Sequence, residues 1–392
     1  MAAPQRDRAD VAVQRHAAPL KIVHIITRFI RGGADENTLL TVNGQARHGH
    51  AVELIVGDHH PAIIAALDPH VTLRFEPTLV RAIRPLSDLR CLFRLLAHLR
   101  RARPDVVHSH ESKAGIIGRV AAWMAGVPIV VHGVHILPFL GVSRAQAALY
   151  LRLEKCVAPM TDAFVDVSEG MRDTCLGHGL GHAGNHFVVA SGMDGARFRN
   201  AAPVANLPGD AAAVTGLMAG TLEPRKRIAE LISAMAEHRQ SAVNWRLLIA
   251  GHGAQQRALE QLIPKLGLEE KIFLLGHRDD LDQLIASADI CIHAARNEGL
   301  PRVLVQYVLG GRAVLVAALP GIERVVHADG NGVIVASDDI VGLAANFLAL
   351  ADDGDRRARM AAASAAIDLS AWEADRMVNA IDAIYRGLEA RS

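Results

Sequence analysis

The segment "NEGLPRVLVQYVLGG" places a carboxylate, Glu298, shortly before a predicted helix and an amide, Gln306, inside that helix. Pro301 suits the first helical position, because its missing N–H would have no intrahelical partner there. The backbone amides of Gly299 and Leu300 can hold an anion such as a phosphate. Gln306 can reach back along the same ligand, since helical side chains lean toward the N-terminus and eight residues span about 12 Å. The spacing fits one extended ligand held at two points; the alternative is a surface acid followed by an ordinary helix amide.

A basic turn, "GTLEPRKRI", follows a predicted strand and places Arg225, Lys226 and Arg227 at a helix start. Lys226 is one of only six lysines in a chain whose usual cation is arginine. A lysine ammonium is a compact, mobile charge that suits a diphosphate. The turn is therefore a candidate anion site, and the alternative is a solvated basic turn.

A glycine pair, Gly32 and Gly33, follows the first predicted strand in "RGGADENT". Glycines allow a backbone to approach a ligand closely. The dinucleotide fingerprint G-x-G-x-x-G is absent at this position, so the motif gives little support to a nicotinamide cofactor.

Histidines mark two neighbouring strands. His108 and His110 share one strand face, but a metal site needs a third ligand and the sequence reveals none, so we expect no metal. His132 and His135 are three residues apart and face opposite sides of a strand. His135 is nearer the carboxyl end and is the one expected to face a ligand; the alternative for each is a core histidine bonded to backbone.

Composition describes the scaffold that must hold these residues. The chain has 392 residues, of which 51% are apolar and 21% charged, as expected for two globular domains. The net charge of +1 argues against a nucleic-acid partner. Short apolar strands alternate with helical segments, a rhythm that predicts parallel α/β sheets. The alternation of strands and helices is interrupted by "RFRNAAPVANLPGDAAA", which we interpret as a linker between two domains, and it resumes after this segment.

The predicted fold class is thus α/β, with two doubly wound Rossmann-like domains facing each other across a cleft, where a ligand would bind. The predicted segments are a flexible leader over 1–19, a first Rossmann-like domain over 20–197, a linker over 198–212, a second Rossmann-like domain over 213–370 and a C-terminal helix over 371–392, which would pack back on the first domain.

The four cysteines are scattered without a CxxC pair, which indicates a reducing compartment. The first twenty residues have no apolar core and do not form a secretory signal. The most apolar run, over 127–142, is shorter than the about 20 residues of a spanning helix. We therefore expect a cytoplasmic protein.

The segment over 81–103 combines seven arginines with an apolar stripe made of Leu89, Leu92, Phe93, Leu95, Leu96 and Leu99. The stripe predicts a helix that faces the core and exposes its basic side to solvent. Alternatively, the segment contacts anionic lipid headgroups, which attract such a surface by about 1 kcal/mol per basic residue.

The motifs together resemble glycosyltransferase family 4, the retaining nucleotide-sugar enzymes of GT-B fold. The resemblance covers nearly the whole chain after the leader. The stretch over 103–135 is particularly similar to members that build bacterial surface polysaccharides and O-antigens. The motifs stand in family order, namely "IRGGAD", "VASGMDGARF", "GTLEPRKR", "IAGHG", "FLLGH", "NEGLPRVLVQ", "PGIERVV" and "DGNGVIV".

This resemblance implies transfer of a hexose-type sugar from a nucleotide donor, a UDP-sugar, to a lipid-linked or glycan acceptor. Lys226 would hold the donor diphosphate together with helix amides, Glu298 would contact the transferred sugar, and His135 would hydrogen-bond that sugar. No cofactor or metal would be needed, because Lys226 and the helix dipole stabilise the leaving diphosphate. The implied donor-binding residues are Gly32, Gly33, Thr221, Arg225, His277, Gly299, Leu300 and Gln306.

Some positions depart from the family pattern. Gln306 stands where the family has a glutamate that grips the ribose, so it loses the strength of a charged acceptor. Thr221 stands where an arginine often joins the lysine, and Arg225 or Arg227 could replace it. Ser191 and His252 also differ from the family residues. These departures leave room for a binding or scaffold protein that lost turnover. A third hypothesis, suggested only by the alternation of strands and helices, is a nicotinamide-dependent oxidoreductase.

Overall fold

The computed structural model describes residues 18–30, 32–139, 142–296, 300–319 and 321–391. The predictions for Glu298 and Gly299, and most of the predicted leader, lie outside these residues.

The first sheet is entirely parallel and has seven strands in the order β3-β2-β1-β4-β5-β6-β7. Its central strands are almost entirely buried because helices cover both faces, and their apolar runs are interrupted by histidines such as His24 and His108. The strands are β1 Lys21–Phe29, β2 Ala51–His59, β3 Thr72–Phe75, β4 Val106–His110, β5 Ile129–Val134, β6 Ala163–Asp166 and β7 His186–Val188. The helices are α1 Gly33–Arg47, α2 Pro61–Ile64, α3 Pro85–Ala102, α4 Ser112–Ala125, α5 Arg144–Val157, α6 Glu169–Gly177 and α7 Gly195–Arg199.

The second sheet is also parallel and has six strands in the order β10-β9-β8-β11-β12-β13. They are β8 Val214–Ala219, β9 Trp245–Ala250, β10 Ile272–Gly276, β11 Ile290–His293, β12 Ala313–Ala317 and β13 Gly332–Val335. The helices are α8 Ile228–Met235, α9 Gln256–Lys265, α10 Leu281–Ser287, α11 Arg302–Leu309, α12 Ile340–Asp352, α13 Gly354–Ala366 and α14 Ala374–Glu389. Two doubly wound Rossmann-like domains confirm the predicted fold class.

Helix α14 belongs to the first domain by packing. Its buried residues Val378, Ile381 and Tyr385 join a core cluster with Ile22 of β1 and Val131 of β5. The chain thus crosses from the second domain back onto the first sheet, and α14 supplies part of that sheet's core.

Two details differ from the sequence analysis. Pro301 has an extended backbone (φ −70°, ψ 134°) and caps α11, which begins at Arg302 and not at the proline. In α3, only part of the predicted stripe faces the core: Leu95, Leu96 and Leu99 are buried, whereas Leu89 and Phe93 are about half exposed.

Among the described residues, no helix has the length and apolar character needed to cross a membrane.

Candidate active site

Three glycines line the carboxyl edge of the second sheet, where β8, β9 and β10 end. Gly220, Gly251 and Gly276 all have positive φ, at 152°, 156° and 66°. The Gly220 amide donates to Ala250 O at 3.0 Å and the Gly251 amide to Gly276 O at 2.7 Å. A side chain at Gly251 would place its Cβ 1.8 Å from the Gly220 carbonyl oxygen. The rim is therefore closely packed backbone, as expected beside a ligand.

Lys226 lies next to this rim, in a 3-10 turn over Pro224–Lys226. It is 9% exposed, and its Cε and Nζ lie 3.6 and 3.7 Å from where a Cβ on Gly220 would be. The Arg296 amide, just after β11, donates to Arg225 O at 3.1 Å. β8 and β11 are neighbours in the sheet. The strands that follow β8 in sequence, β9 and β10, lie on one side of this pair, and those that follow β11 lie on the other. Lys226 thus lies at the topological switch point, where ligands of such sheets bind.

The arginines that flank Lys226 have different partners. Arg227 is 3% exposed and donates to Ser337 O at 2.7 Å and Glu230 Oε2 at 2.8 Å. Because these contacts hold the fold together, Arg227 is a poor replacement for the family arginine. Arg225 is exposed, with its Nε 2.8 Å from Glu223 Oε2, and Thr221 is exposed too.

Helix α11 is positioned against the same edge. The Tyr307 hydroxyl accepts from the Ala219 amide at 2.8 Å, at the end of β8. Gln306 is buried on this helix, and Leu300 is half-buried just before it. Glu298 and Gly299 are outside the described residues, between β11 and this helix.

His277 follows β10 at the far side of the glycine rim. It is exposed, and its Nε2 lies 3.1 Å from Asp279 Oδ1. Its predicted role in donor binding remains a prediction.

Arg302 joins the two domains, and the sequence analysis did not single it out. Its Nη2 lies 3.0 Å from Glu36 Oε2 of α1, and its Nη1 donates to Gly192 O at 3.0 Å. A Cβ on Gly33 would lie 3.0 Å from the Arg302 Cδ, so the glycine pair Gly32–Gly33 borders this contact. The loop after β1 therefore faces the start of α11, and the carboxyl edges of the two sheets meet there.

His135, one residue beyond β5, is half-buried and contacts a cluster of buried imidazoles. Its Nε2 lies 3.0 Å from His110 Nδ1, and the His110 ring stacks on His108 at 4.3 Å. Burial, with a smaller contribution from the nearby Arg302 guanidinium, lowers the pKa of His135 to about 4. His132 points elsewhere, with its Nδ1 3.1 Å from Ser109 Oγ.

The structure supplies a third imidazole that the sequence analysis did not find. His24 on β1 pairs in register with His108 on β4, and single ligand atoms of His24, His108 and His110 lie within 4.8 Å of one another. However, His24 and His110 stack at an interplanar angle of 13° and are already hydrogen-bonded at 2.9 Å. Nearly parallel rings do not direct their lone pairs at a common point, which a tetrahedral metal site requires.

Two acids meet at the switch point of the first sheet. Asp35, in the first turn of α1, is buried, and within the described part of the chain its Oδ1 has no hydrogen-bond partner. Glu111 follows β4 with an unusual positive φ of 61°. Burial, together with the smaller effect of the Glu111 charge, raises the pKa of Asp35 to about 7. This edge therefore holds a carboxyl group that gains a proton near neutral pH.

Asp35→Asn should make stability less dependent on pH. In the unfolded chain Asp35 ionises near pH 4, whereas in the folded protein its pKa is about 7. The folded state therefore binds the extra proton, and stability falls as pH rises between these values, by up to about 4 kcal/mol. Denaturation at pH 5 and pH 8 should show Asp35→Asn stabilised over wild type by a clearly larger margin at pH 8 than at pH 5. Equal pH dependence in the variant and wild type would contradict this, and exposed Asp375→Asn is the control.

Comparison with known proteins agrees with this geometry. Residues 32–192 match the family model described as glycosyl transferase 4-like domain, and residues 213–366 match glycosyl transferases group 1. The chain is 26% identical over 347 residues to UDP-Gal:alpha-D-GlcNAc-diphosphoundecaprenol alpha-1,3-galactosyltransferase of Escherichia coli, covering 85% of this chain and 88% of that one. It is 24% identical over 256 residues to the putative glycosyltransferase EpsD of Bacillus subtilis, covering 61% and 65%.

Solved structures show the same fold. HepE of Anabaena, crystallised with UDP-glucose, superposes with a TM-score of 0.77 at 21% identity, covering 94% of this chain and 100% of that one. WaaG, a glycosyltransferase involved in lipopolysaccharide biosynthesis, gives a TM-score of 0.72 at 16% identity, covering 91% and 98%. These neighbours define the class as two-domain GT-B proteins. The chain belongs to the family 4 type of glycosyltransferases within that class, which removes the basis for the oxidoreductase hypothesis.

Proposed function

We propose that this protein is a retaining hexosyltransferase that moves a sugar from a UDP-sugar to a lipid-linked or glycan acceptor during synthesis of a cell-surface polysaccharide. The observation that carries the proposal is the position of Lys226 at the switch point of the second sheet, beside the glycine rim and the start of α11. A diphosphate placed there would meet a lysine and a helix N-terminus together. The E. coli relative, whose name specifies a UDP-sugar donor and a lipid-linked acceptor, supports the same reaction.

Each residue would have a separate role in the reaction. Lys226 and the amides preceding α11 stabilise the charge that develops on the leaving diphosphate, so no metal is required. Glu298 contacts the transferred sugar and His135 accepts a hydrogen bond from one of its hydroxyl groups. The acceptor hydroxyl oxygen attacks the anomeric carbon on the face from which UDP leaves, which retains the configuration. Gln306 contacts the ribose.

A donor screen tests the proposal. Purified protein would be incubated with a panel of nucleotide sugars, with and without a polyprenyl-diphosphate-linked sugar acceptor. We expect nucleotide release that depends on a UDP-hexose and proceeds in the presence of EDTA. Release only from donors with another nucleobase would overturn the UDP assignment, and loss in EDTA would overturn metal independence.

Glu298→Ala should abolish sugar transfer while UDP binding and the melting temperature stay close to wild type. The physical reason is that the proposed Glu298 contact involves the sugar and not the nucleotide. Transfer would be measured as UDP release, and UDP affinity by calorimetry. Full activity in the variant would remove Glu298 from its role.

A scaffold that binds a nucleotide without turnover is the second candidate. Exposed Thr221 and buried Gln306, both departures from the family pattern, favour it. In that case the donor screen would show UDP binding with no UDP released from any sugar donor.

We further propose that α3 contacts an anionic membrane at its cytoplasmic face. Its outer surface exposes Leu86 (82%), Leu89 (51%) and Phe93 (54%) beside the exposed Arg84 and Arg90. Apolar side chains flanked by arginines suit the headgroup boundary of a bilayer.

Replacing Leu86 and Phe93 with Ser should weaken binding to vesicles that contain phosphatidylglycerol, because both side chains would leave the bilayer boundary. We expect roughly a tenfold loss in a sedimentation assay, since burial of each side chain contributes about 1.5–3 kcal/mol when complete. Val341→Ser, at a similarly exposed apolar residue of the second domain, is the control. Equal binding of all three proteins would exclude α3 as the contact.

A further inference from the structure

A line of hydrogen bonds runs from α14 through the core of the first domain to His135. Gln45 Nε2 donates to Asp382 Oδ1 at 3.0 Å, and Gln45 Oε1 lies 2.8 Å from His24 Nε2. His24 Nδ1 lies 2.9 Å from His110 Nε2, and His110 Nδ1 lies 3.0 Å from His135 Nε2. Gln45, His24 and His110 are buried, so water does not offer them other partners.

The hydrogen bond between Gln45 and Asp382 has only one possible donor, the Gln45 amide. An ionised carboxylate accepts hydrogen bonds and cannot donate, so the amide NH₂ of Gln45 must face Asp382. The Gln45 oxygen then faces His24, and because this oxygen also only accepts, His24 Nε2 must carry the proton. The Tyr385 hydroxyl hydrogen-bonds His108 Nδ1 at 2.6 Å, outside this line, and leaves the orientation of Gln45 unchanged.

The proton position on His24 then fixes which nitrogen donates in the next two hydrogen bonds, from His110 to His24 and from His135 to His110. Burial lowers the pKa of His24 to about 4 and that of His110 well below its usual range, so both rings are neutral. A neutral imidazole has one N–H and one acceptor nitrogen. His24 Nδ1 therefore accepts from His110 Nε2–H, and His110 Nδ1 accepts from His135 Nε2–H. This leaves Nδ1 as the acceptor nitrogen of His135.

Asp382 is held in the ionised form at the start of the line. Burial alone would raise its pKa, but hydrogen bonds from His50 and His48 hold it below the usual value. His48 Nδ1 lies 2.8 Å and His50 Nε2 3.5 Å from Asp382 Oδ2. The carboxylate is thus an acceptor at neutral pH.

We propose that Asp382 is a positioning residue that sets the tautomer of His135 through Gln45, His24 and His110, so that Nδ1 accepts a hydrogen bond from a donor-sugar hydroxyl. The role in transfer rests on the proposed function, whereas the tautomer itself does not. The reversed tautomer would present an N–H to that hydroxyl and would leave the hydroxyl proton without its acceptor.

Nitrogen-15 NMR of histidine-labelled protein tests the tautomer directly. Wild type should show His135 as a single Nε2–H form. In Asp382→Asn the side chain at position 382 can donate as well as accept. The Gln45 amide can then rotate so that its NH₂ faces His24, and the donor and acceptor of every later hydrogen bond exchange roles. We expect a detectable Nδ1–H form of His135 in that variant, and none in Asp375→Asn on the same helix. An Nδ1–H form in wild type, or no change in Asp382→Asn, would overturn the proposal.

A double variant separates the tautomer from a general loss of packing. When Asp382→Asn is combined with Gln45→Glu, the carboxylate introduced at position 45 accepts from both His24 and the amide introduced at position 382. This arrangement restores the original direction of the line. The double variant should therefore recover the Nε2–H form of His135. Failure to recover it in a protein with a cooperative melt would overturn the proposal.

Sugar transfer gives the functional readout. We expect kcat to fall about tenfold in Asp382→Asn, as for other residues that orient a ligand-contacting histidine, and to recover in the double variant. A changed tautomer with unchanged kcat would overturn the role in transfer. Failure of the proposed function would look different, because wild type itself would then transfer no sugar while its NMR spectrum still showed the Nε2–H form.

Discussion

Lys226→Met is expected to lower sugar transfer by roughly 10²–10³-fold, the usual effect of removing one group that stabilises charge in a transition state. Lys226 is nearly buried beside Gly220, and its turn is tied to the residue after β11 by the hydrogen bond from Arg296 to Arg225. Methionine keeps most of the side-chain volume and removes the charge. The loss should therefore fall mainly on kcat, measured as UDP release at saturating donor.

Lys265→Met, at the end of α9, is the matched control, because it removes the same charge at an exposed position of the same domain. Lys226→Arg should recover only part of the activity, since a planar guanidinium does not replace a compact ammonium in an enclosed site. Equal turnover in Lys226→Met and Lys265→Met would exclude Lys226 from diphosphate stabilisation.

Gly251→Ala is expected to destabilise the second domain by at least about 3 kcal/mol, in the range of severe backbone strain. The new Cβ would lie 1.8 Å from Gly220 O, and the φ of 156° disfavours any residue with a Cβ. To relieve this overlap, the ends of β8 and β9 must separate. We expect an apparent Tm lower by roughly 6–12 °C, together with a loss of UDP binding.

Gly267→Ala distinguishes conformational strain from overlap. Gly267 also has a positive φ of 66°, but a Cβ there would have no atom within 4 Å. Its variant should lose only about 1–2 kcal/mol, the usual cost of a left-handed backbone. If both alanine variants melt at the same temperature, the close approach of Gly251 to Gly220 does not limit stability.

The fold was predictable because most strands are short, nearly unbroken apolar runs between polar loops. The apolar face and the following Gly126 predict a helix from Ser112 to Ala125 in the sequence, and α4 has these bounds. Strand β3 (Thr72–Phe75) was not predicted: its sequence alternates polar and apolar residues, but it is only four residues long and all four are exposed. The half-exposed Phe93 on α3 shows that an apolar stripe does not reveal how much of it the core will cover.

The site was only partly predictable. The sequence identified the basic turn at Lys226 because a short motif places it after a strand. It did not distinguish Arg302 from the many other arginines, because its partners Glu36 and Gly192 belong to distant parts of the chain. His24 was missed because it lies within an apolar strand, and only the register of β1 with β4 brings it beside His108.

The packing of α14 on the first sheet has a consequence for synthesis of the chain. Val378 and Tyr385 complete a core whose other members include Ile22 and Val131. A ribosome adds about 5–20 residues per second. The core of the first domain therefore stays incomplete until the whole second domain and α14 have been translated. During that interval of roughly ten seconds or more, nascent β1 and β5 would expose an apolar groove, which makes this enzyme a natural client for chaperones that hold unfinished chains.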